Sequence, residues 1–502
     1  MSNLTDLLPA GAGGKQVSFV ASGTIGNGVT VGLNADGTVT AVAETAIPDS
    51  TGAGNQFTGT ADSAIAAAWH PTANKIVITY YDTSAGEGKA VVGTVNGTSI
   101  SFGSAVSIVP TGRYPVAIVY DPVNDLFVVA YIGSSQGITS VSISGTTVTW
   151  DGTYNNYDPL GAPKAYNVSL TWDSTNSVVV ISYCNVYSRL NIRTVDMSGP
   201  YTFGTSTQPY GTNTAADNVV FTVYVSSVDR HLCFFDNNSL SDLRYTILQI
   251  TGSSGSNVSY TTPATLSGFY TQQRSFAAAY DDVNDWVMLN TRQNSTLYGL
   301  AQALRINTSA ITATSTATVY ASYQANYQGG LYNPDAGKFF LSYQDDRSTG
   351  TTPREMLGFS VNAITVSAGL TFTTPFNIGN SSANERNDCV SNDAIVYDPV
   401  DKRIIGSFQD YTSAPNEGRS YVITQAYNQT NFASFIGISD AAISDTASGS
   451  VTIKGGISTN VTGLTPNQTY YVQTDGTLST TASDVLAGKA LSSTSINLDY
   501  TT

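Results

Sequence analysis

The sequence predicts an all-β protein built around a seven-bladed β-propeller with four strands in each blade. Three observations support this prediction. A characteristic segment recurs seven times along the 502 residues. The composition is rich in strand-forming Val, Thr and Tyr, and no stretch of ten residues has a helical period. The copies are spaced by about 50 residues, a period that is typical of propeller blades.

The recurring segment is clearest in "AIVYDPVNDLFVVAYIG" (117–133) and "AIVYDPVDKRIIGSFQD" (394–410). Each copy has two apolar runs separated by a turn of five residues, in which the turn formers Asp, Asn and Pro are frequent. An aromatic residue, which we call the anchor, precedes every turn: Trp69, Tyr120, Trp172, Tyr224, Tyr280, Tyr332 and Tyr397. The spacing between anchors runs from 51 to 65 residues, and six of the seven copies have a second aromatic eleven residues after the anchor.

Each copy predicts four strands, which in the second copy are "VAIVY", "LFVVAYI", "GITSVSIS" and "TVTWD". The first strand is rich in Ala and Gly, which suits the innermost position, where the blades crowd around the axis. A stacked solenoid is the alternative architecture, but solenoid repeats are usually shorter and have no preference for seven copies.

The seventh copy supplies a third strand at 419–427 but no evident fourth strand. An open ring would leave unpaired strand edges, which are prone to aggregation. We therefore expect an N-terminal segment near residues 41–60 to provide the missing outer strand.

Both ends of the chain lie outside the repeat period but still have strand-and-turn character, with "NADG" and "QTDG" as hairpin signals. Because a short hairpin alone is only marginally stable, we expect the two ends to pack together. The predicted division is a small β domain from residues 1–45 and 430–502, with the propeller, residues 46–429, inserted between its two parts.

Composition excludes several classes of function. A net charge of −15 argues against nucleic acid and against anionic membrane surfaces, because both require clustered Lys and Arg. There is no apolar run long enough to cross a membrane, and the N-terminus has no export signal. Neither the three cysteines, Cys184, Cys233 and Cys389, nor the two histidines, His70 and His231, have the spacing of a metal site, and no cofactor is expected.

The terminal segments carry a resemblance to a known family. "GTIGNGVTVGLNADGTVTAV", followed much later by "FIGISDAAISDTASGSVTIKGG" and "GLTPNQTYYVQTDGTLST", resembles the framing module of tailed-bacteriophage virion appendage proteins. Such modules occur in tail fibres and in head fibres. The resemblance implies attachment to a virus particle, with the inserted domain facing outward, and it supplies no catalytic residues.

The sequence also indicates a candidate binding surface. In a four-stranded blade, the loops between the second and third strands and the loops between blades share one face. Tyr beside Asn, Gln and Asp suits sugars, because a ring can stack on the sugar and polar groups can bond its hydroxyls. The candidate residues are Asp82, Asn185, Asn237, Gln293, Asp345 and Asp410, just past the second strands, and Tyr154, Tyr157, Tyr210 and Tyr270 in loops between blades.

The favoured function is therefore a non-enzymatic phage structural protein, a tail fibre or receptor-binding protein that recognises host surface polysaccharide. Expected partners are other virion proteins, with several copies on each particle and a homotrimer as one natural arrangement. A capsid decoration or head-fibre protein is the first alternative. The second is a propeller glycosidase or sialidase-like enzyme, for which acids and arginines on adjacent blades are available: Asp345, Asp346, Arg347, Asp410, Glu417 and Arg419.

Overall fold

The computed structural model describes residues 15–133, 135–157, 168–185, 189–199, 201–210, 220–237, 242–252, 255–266, 269–270, 276–293, 296–346, 355–366, 368–379, 385–386, 394–410 and 415–498. Across these ranges the protein is nearly all β, and no α-helix occurs in them. Two single turns of 3-10 helix are described, Ser226–Val228 and Phe432–Ser434. The all-β class predicted from composition and period is therefore confirmed.

The chain divides into two compact units. The framing unit comprises residues 1–47 and 426–502, and the repeat unit comprises residues 48–425. The prediction placed these boundaries after residues 45 and 429.

The strands are numbered in chain order. The N-terminal part of the framing unit holds β1 Gln16–Val20, β2 Thr30–Leu33, β3 Val39–Ala41 and β4 Glu44–Ile47. The first half of the repeat unit holds β5 Ser50–Thr51, β6 Asn55–Thr58, β7 Ala61–His70, β8 Lys75–Asp82, β9 Glu87–Asn96, β10 Ser99–Phe102, β11 Val106–Val109, β12 Arg113–Asp121, β13 Leu126–Gly133, β14 Gly137–Ser144, β15 Thr147–Trp150, β16 Val168–Asp173, β17 Val178–Cys184, β18 Leu190–Asp196, β19 Thr202–Phe203, β20 Thr207–Tyr210, β21 Val220–Val225, β22 Arg230–Asn237, β23 Asp242–Thr251, β24 Asn257–Tyr260 and β25 Ala264–Leu266. The second half holds β26 Phe269–Tyr270, β27 Ala277–Asp281, β28 Trp286–Gln293, β29 Tyr298–Ile306, β30 Ile311–Thr314, β31 Thr318–Asn333, β32 Lys338–Asp345, β33 Met356–Thr365, β34 Gly369–Phe372, β35 Phe376–Asn377, β36 Glu385–Arg386, β37 Ile395–Asp398, β38 Arg403–Asp410 and β39 Glu417–Thr424. The C-terminal part of the framing unit holds β40 Tyr427–Thr430, β41 Phe435–Ser439, β42 Ser448–Ile453, β43 Ile457–Ser458, β44 Thr469–Val472, β45 Leu478–Ser479, β46 Leu486–Ala490 and β47 Ile496–Leu498.

The framing unit interleaves the two ends of the chain. One sheet has the order β1-β42-β41-β2-β3, so that N-terminal and C-terminal strands are direct neighbours, and a second sheet has the order β43-β47-β46-β44-β45. Strands β4 and β40 pair as a separate two-stranded ribbon. In one core of this unit, Val31 of β2 packs with Ile443 and Val451, and all three side chains are buried.

The repeat unit contains the seven predicted hairpins. Each recurring segment forms an antiparallel pair: β7–β8, β12–β13, β16–β17, β21–β22, β27–β28, β31–β32 and β37–β38. A third strand pairs with the second strand of every hairpin, as in the order β12-β13-β14-β15 of the second repeat. The outer position departs from the prediction, because in most repeats it consists of two short segments that pair with the same third strand, such as β10 and β11 on β9.

The hairpin turns share one backbone geometry. Four residues separate the paired strands, one fewer than predicted, because the residue after each anchor still belongs to the first strand. The last residue of every turn has a positive φ between 52° and 62°: Asn74, Asp125, Ser177, Asp229, Asp285, Gly337 and Lys402. A residue in this left-handed region turns the chain sharply enough to start the returning strand.

Glycine exchange at these turn positions should change stability in a predictable direction. For most residues other than glycine, a positive φ costs about 1–2 kcal/mol, partly offset by the greater freedom of glycine in the unfolded chain. We expect Ser177→Gly to stabilise the protein by about 0.5 kcal/mol and Gly337→Ala to destabilise it by about 1 kcal/mol, as measured by urea unfolding. An added Cβ at Gly337 meets no atom within 4 Å, so a large loss from Gly337→Ala could not be explained by a clash.

The seventh repeat obtains its outer strand from the beginning of the repeat unit. Strands β5 and β6 pair with β39, with Thr51 opposite Ile423 and Asn55 opposite Ser420. This is the pairing that the missing fourth strand predicted. The beginning of the repeat unit is therefore hydrogen-bonded to its last repeat.

Hydrophobic clusters join each repeat to the next. Seven such clusters are formed by the described residues of the repeat unit, and each draws its side chains from two consecutive repeats. In one of them, Ile405 and Val422 of the seventh repeat pack with Ile65 and Ile78 of the first. The core is therefore divided among the junctions between sheets.

Candidate functional site

Each repeat has two chemically different ends. At one end lie the short hairpin turns, where polar side chains connect neighbouring repeats. The Tyr224 hydroxyl lies 2.8 Å from Thr175 Oγ1 of the preceding repeat. His70 Nε2 lies 2.9 Å from a carboxylate oxygen of Asp125 in the following repeat. At the opposite end lie the loops after each second strand and the loops between repeats, where the binding surface was predicted.

Most of the candidate polar residues just past the second strands are buried within the fold. The side chains of Asp82, Asn185, Asp345 and Asp410 lie at the predicted end of the second strands, but these residues are at most 7% exposed. Gln293 is half-buried, and its Oε1 accepts a hydrogen bond from Thr296 Oγ1 at 2.9 Å. These positions were expected to face a ligand. The four buried side chains leave little surface for a ligand to contact, so an open ring of exposed polar groups is not what these positions form.

Asp82 illustrates this structural role. Its carboxylate accepts hydrogen bonds from Thr60 Oγ1 and Ser84 Oγ, both at 2.7 Å, and pairs with Lys89 Nζ at 2.7 Å. Burial favours the neutral acid, but the hydrogen bonds from Lys89, Thr60 and Ser84 outweigh it and hold the pKa of Asp82 far below its usual range. Asp82 is thus an anion whose acceptor positions are already used.

The four predicted tyrosines have different environments. Tyr157 is fully buried, with its ring centroid 4.9 Å from that of Tyr183, so its assignment to a surface site is corrected. Tyr154 is 38% exposed and Tyr210 is half-buried, and both are accessible to a ligand. The side chains of Tyr270 and Asn237 lie outside the described part of the structure, although the backbones of both residues lie in strands.

An arginine that sequence reasoning missed defines the best-formed site. Arg113 Cζ lies 5.2 Å from the ring centroid of Tyr154 and 5.5 Å from that of Tyr131, where the first and second repeats meet. The two rings meet edge to face at 5.9 Å. We call Arg113, Tyr131 and Tyr154 the first arginine–tyrosine cluster. Beside it, Tyr81 and Tyr114 stack with their centroids 4.0 Å apart.

The phenols of this cluster remain neutral at physiological pH. Burial raises the pKa of Tyr131 to about 12, and burial likewise raises the pKa of Tyr154. A neutral phenol donates and accepts hydrogen bonds, while a guanidinium only donates. The cluster therefore offers the partly exposed ring and hydroxyl of Tyr154 beside a fixed positive charge, while Tyr131 is buried beneath them.

A second arginine–tyrosine cluster has the same chemistry. Arg244 Cζ lies 5.0 Å from the ring centroid of Tyr210, and that ring lies 5.5 Å from Phe235. Arg113 and Arg244 were missed because each contact depends on a connection between repeats that the periodicity does not describe. One signal was available in the sequence. Lys and Arg together number only 21, so an arginine beside an aromatic segment is uncommon and could have been selected as a candidate.

The residues considered for hydrolysis lie in paired networks. Arg419 Nη2 lies 2.6 Å from Glu417 Oε2, and its Nε lies 3.7 Å from Asp410 Oδ2. Asp346 Oδ2 accepts a hydrogen bond from Asn326 Nδ2 at 2.9 Å. Arg347, the remaining predicted cation of this group, lies outside the described residues.

Neither a metal-binding cluster nor a membrane-spanning helix occurs among the described residues. No group of three or more His, Cys, Asp or Glu side chains there is arranged to hold a metal ion. Nor does any described helix have the length and apolar character needed to cross a bilayer. Cys184 and Cys233 are both buried, whereas Cys389 falls outside the ranges that the structure describes.

Comparison with known proteins gives similarity in structure but none in sequence. No protein-family model and no curated protein matches the chain. Among solved structures, the chain is similar to the BP39L lectin from Burkholderia pseudomallei, with a TM-score of 0.52 and 11% identity over 74% of this chain and 98% of the lectin. It is also similar to PpgL, a periplasmic gluconolactonase of Pseudomonas aeruginosa, with a TM-score of 0.44 and 9% identity over 73% of this chain and 97% of PpgL.

The likeness to the lectin, at 11% identity, concerns the fold alone. Taken with the repeated four-stranded sheets, it supports a β-propeller fold for the repeat unit.

Proposed function

We propose that the seven repeats form a closed seven-bladed propeller. Two observations support closure. Seven hydrophobic clusters each join two consecutive repeats, and one of the seven joins the last repeat to the first. Strands β5 and β6 supply the outer position of the seventh repeat, so the first and last parts of the repeat unit share one sheet.

On this scaffold we propose a non-catalytic carbohydrate-binding function. The observation that carries the proposal is the first arginine–tyrosine cluster, in which the exposed Tyr154 ring lies beside the Arg113 guanidinium. A sugar has apolar C–H faces that stack on an aromatic ring, and its hydroxyl oxygens accept hydrogen bonds from a guanidinium. Single contacts of this kind are weak, and several copies on one particle would strengthen binding through effective concentration.

Pairing of the described acids favours binding over hydrolysis. A glycosidase needs a carboxylic acid that stays protonated near neutral pH, which requires a raised pKa. Arg419 pairs with Glu417 and Asp410, and hydrogen bonds lower the pKa of Asp82. Asp398 does have a pKa raised by burial, but it accepts backbone hydrogen bonds in a hairpin turn, far from the arginine–tyrosine clusters in sequence.

We further propose that the framing unit mounts the propeller on a phage particle, as the resemblance of its segments implies. A tail fibre or receptor-binding protein is the favoured placement, and a head-fibre or capsid decoration protein is the alternative. Immunogold labelling of virions tests both at once, because label is expected at the tail for the first and on the head for the second. Particles that carry no label would contradict a virion role altogether.

Loss of the exposed ring should weaken saccharide binding. We expect Tyr154→Ala to reduce affinity for glycans bound by the wild type by about tenfold, which corresponds to about 1.4 kcal/mol for one lost stacking contact. The measurement is a glycan array, followed by titration of the positive glycans.

Tyr260→Ala is the matched control, because Tyr260 has a similar exposure of 45% and lies on outer strand β24. Equal binding by both variants would contradict the assignment of the site. A wild-type protein that binds no glycan on the array would contradict the proposed function itself. Release of reducing ends from a bound polysaccharide would show that the protein is an enzyme.

A further inference from the structure

The second arginine–tyrosine cluster has the same types of contact as the first at similar distances, although Arg113 lies on a first strand and Arg244 on a third strand. The distance from arginine Cζ to the tyrosine centroid is 5.0 Å for Arg244 on Tyr210 and 5.2 Å for Arg113 on Tyr154. In both clusters the tyrosine also contacts an aromatic residue eleven positions after an anchor. The ring centroids are 5.5 Å apart in the second cluster and 5.9 Å apart in the first.

The donors of these two arginines are unused within the described part of the protein. Nε of Arg113 and Nε of Arg244 are each buried without a hydrogen-bond partner. No described residue forms a hydrogen bond or an ion pair with either guanidinium. The terminal nitrogens of both guanidinium groups are not among the buried unpartnered atoms, so these Nη atoms, rather than the buried Nε, can donate to the acceptor oxygens of a ligand.

Arg193 also lies over an aromatic ring, but its donors form hydrogen bonds within the protein. Arg193 lies 4.5 Å from the ring centroid of Phe203 and donates to the backbone carbonyls of Gly204 and Tyr157, both at 2.9 Å. Stacking on a ring therefore does not by itself mark a binding site here. Arg113 and Arg244 differ in that they combine unused donors with a tyrosine that is at least partly accessible to solvent.

We infer that the protein has two saccharide sites of the same chemistry, one at Arg113–Tyr154 and one at Arg244–Tyr210. The inference rests on the proposed carbohydrate-binding function and assigns its valency. A guanidinium presents paired donors, so each site takes a sugar residue with two adjacent acceptor oxygens, either vicinal hydroxyls or a carboxylate. The tyrosine ring supports the apolar face of that residue.

Two sites in one chain suit a repeating polysaccharide. The clusters belong to different junctions, the first between repeats one and two and the second between repeats three and four. A polymer held at one site has a raised local concentration at the other when its length spans them, so the bound complex dissociates more slowly than from one site.

Counting bound sugars by native mass spectrometry of the full chain tests this inference. The probes are the methyl glycosides of glucose, galactose, mannose and fucose, and those of glucuronic and galacturonic acid. We expect at least one probe to load two molecules per chain. Preference for the neutral or for the acidic probes identifies which pair of acceptor oxygens is recognised.

Single variants should each remove one binding event. We expect Arg113→Gln and Arg244→Gln to load one molecule per chain and the double variant to load none. Arg113→Lys and Arg244→Lys keep the charge and most of the side chain while losing the planar pair of donors, so the same loss is expected without disturbed folding. Arg193→Gln is the control and should still load two.

Four outcomes would overturn the inference. Loading of a single molecule by the wild type, or of two molecules by the double variant, would do so while leaving the proposed function intact. Loss of both binding events in each lysine variant would point to one shared site. If no probe binds the wild type and the glycan array is also blank, the proposed function fails together with the inference.

Discussion

Replacement of Asp173 with alanine is expected to destabilise the protein by about 3–5 kcal/mol, because it breaks a fully buried polar pair. Asp173 and His231 are each 1% exposed, and His231 Nε2 lies 3.1 Å from Asp173 Oδ2. The same carboxylate accepts the backbone N–H groups of Thr175 and Asn176 in the hairpin turn of the third repeat. The alanine variant removes the turn acceptor and leaves the His231 ring buried without that partner.

Asp121→Ala is the matched control for this prediction. Asp121 occupies the corresponding position in the second repeat, is fully buried and accepts the backbone N–H groups of Val123 and Asn124. It forms no ion pair with a histidine in the described structure. The free energy of unfolding in urea should therefore fall by about 1–2 kcal/mol for Asp121→Ala and by clearly more for Asp173→Ala. Equal losses would show that the contact with His231 contributes nothing.

The contribution of Asp173 should also depend on pH. Burial raises its pKa, but hydrogen bonds from His231 and Asn176 outweigh that effect, and the pKa of Asp173 in the folded protein lies below its ordinary value. A carboxyl group with a depressed pKa stabilises the fold above its unfolded pKa of about 4, and this stabilisation is lost as the pH falls through the folded pKa. The difference in stability between wild type and Asp173→Ala should therefore shrink below about pH 4.

The second large effect is expected at the pairing of the first and last parts of the repeat unit. Phe57 of β6 packs on Tyr80 and Phe102 of the first repeat, with centroid distances of 5.3 and 5.8 Å. Its ring also lies against the backbone of Gly418 in the seventh repeat, where an added Cβ would come within 2.4 Å of the ring. We expect Phe57→Ala to destabilise the protein by about 3 kcal/mol, because it removes the ring from this junction.

Gln56→Ala is the control for this change, since Gln56 is exposed on the same short strand. Thermal unfolding and size-exclusion chromatography measure the outcome. We expect Phe57→Ala to lower the Tm and to increase aggregation through the loosened strand edge, while Gln56→Ala behaves like the wild type. If Phe57→Ala unfolds like Gln56→Ala, the junction does not stabilise the repeat unit, and the proposal of a closed ring loses its main energetic support.

Sequence reasoning succeeded where the information is local or periodic. The anchor Tyr120 and the aromatic Tyr131 eleven residues later lie on paired strands because alternation of side chains and a short turn determine a hairpin by themselves. The sequence of the last repeat lacks an evident fourth strand, and we predicted that residues near the N-terminal end supply it. The pairing of β5 with β39 confirms this prediction. The second inference required only a count of strands and the rule that strand edges are paired.

Binding residues were harder to predict, because burial depends on loops that have no repeat pattern. Asp82 and Asp410 occupy the expected end of their strands, yet both are buried and lie beside the cations Lys89 and Arg419 respectively. Tyr154 and Tyr157 are three residues apart in one connection, but the first is exposed and the second is fully buried. Nothing in their spacing distinguishes the two environments.

The amino-acid sequence alone determined that this chain forms seven similar hairpins in an all-β protein, because strand alternation and turn chemistry act over a few residues and recur in every copy. Only the tertiary structure decided which polar groups remain available to a ligand. Arg113 approaches Tyr154 across about 40 residues of intervening chain, and such a contact arises from the way the strands of the second repeat assemble into one sheet rather than from any local preference.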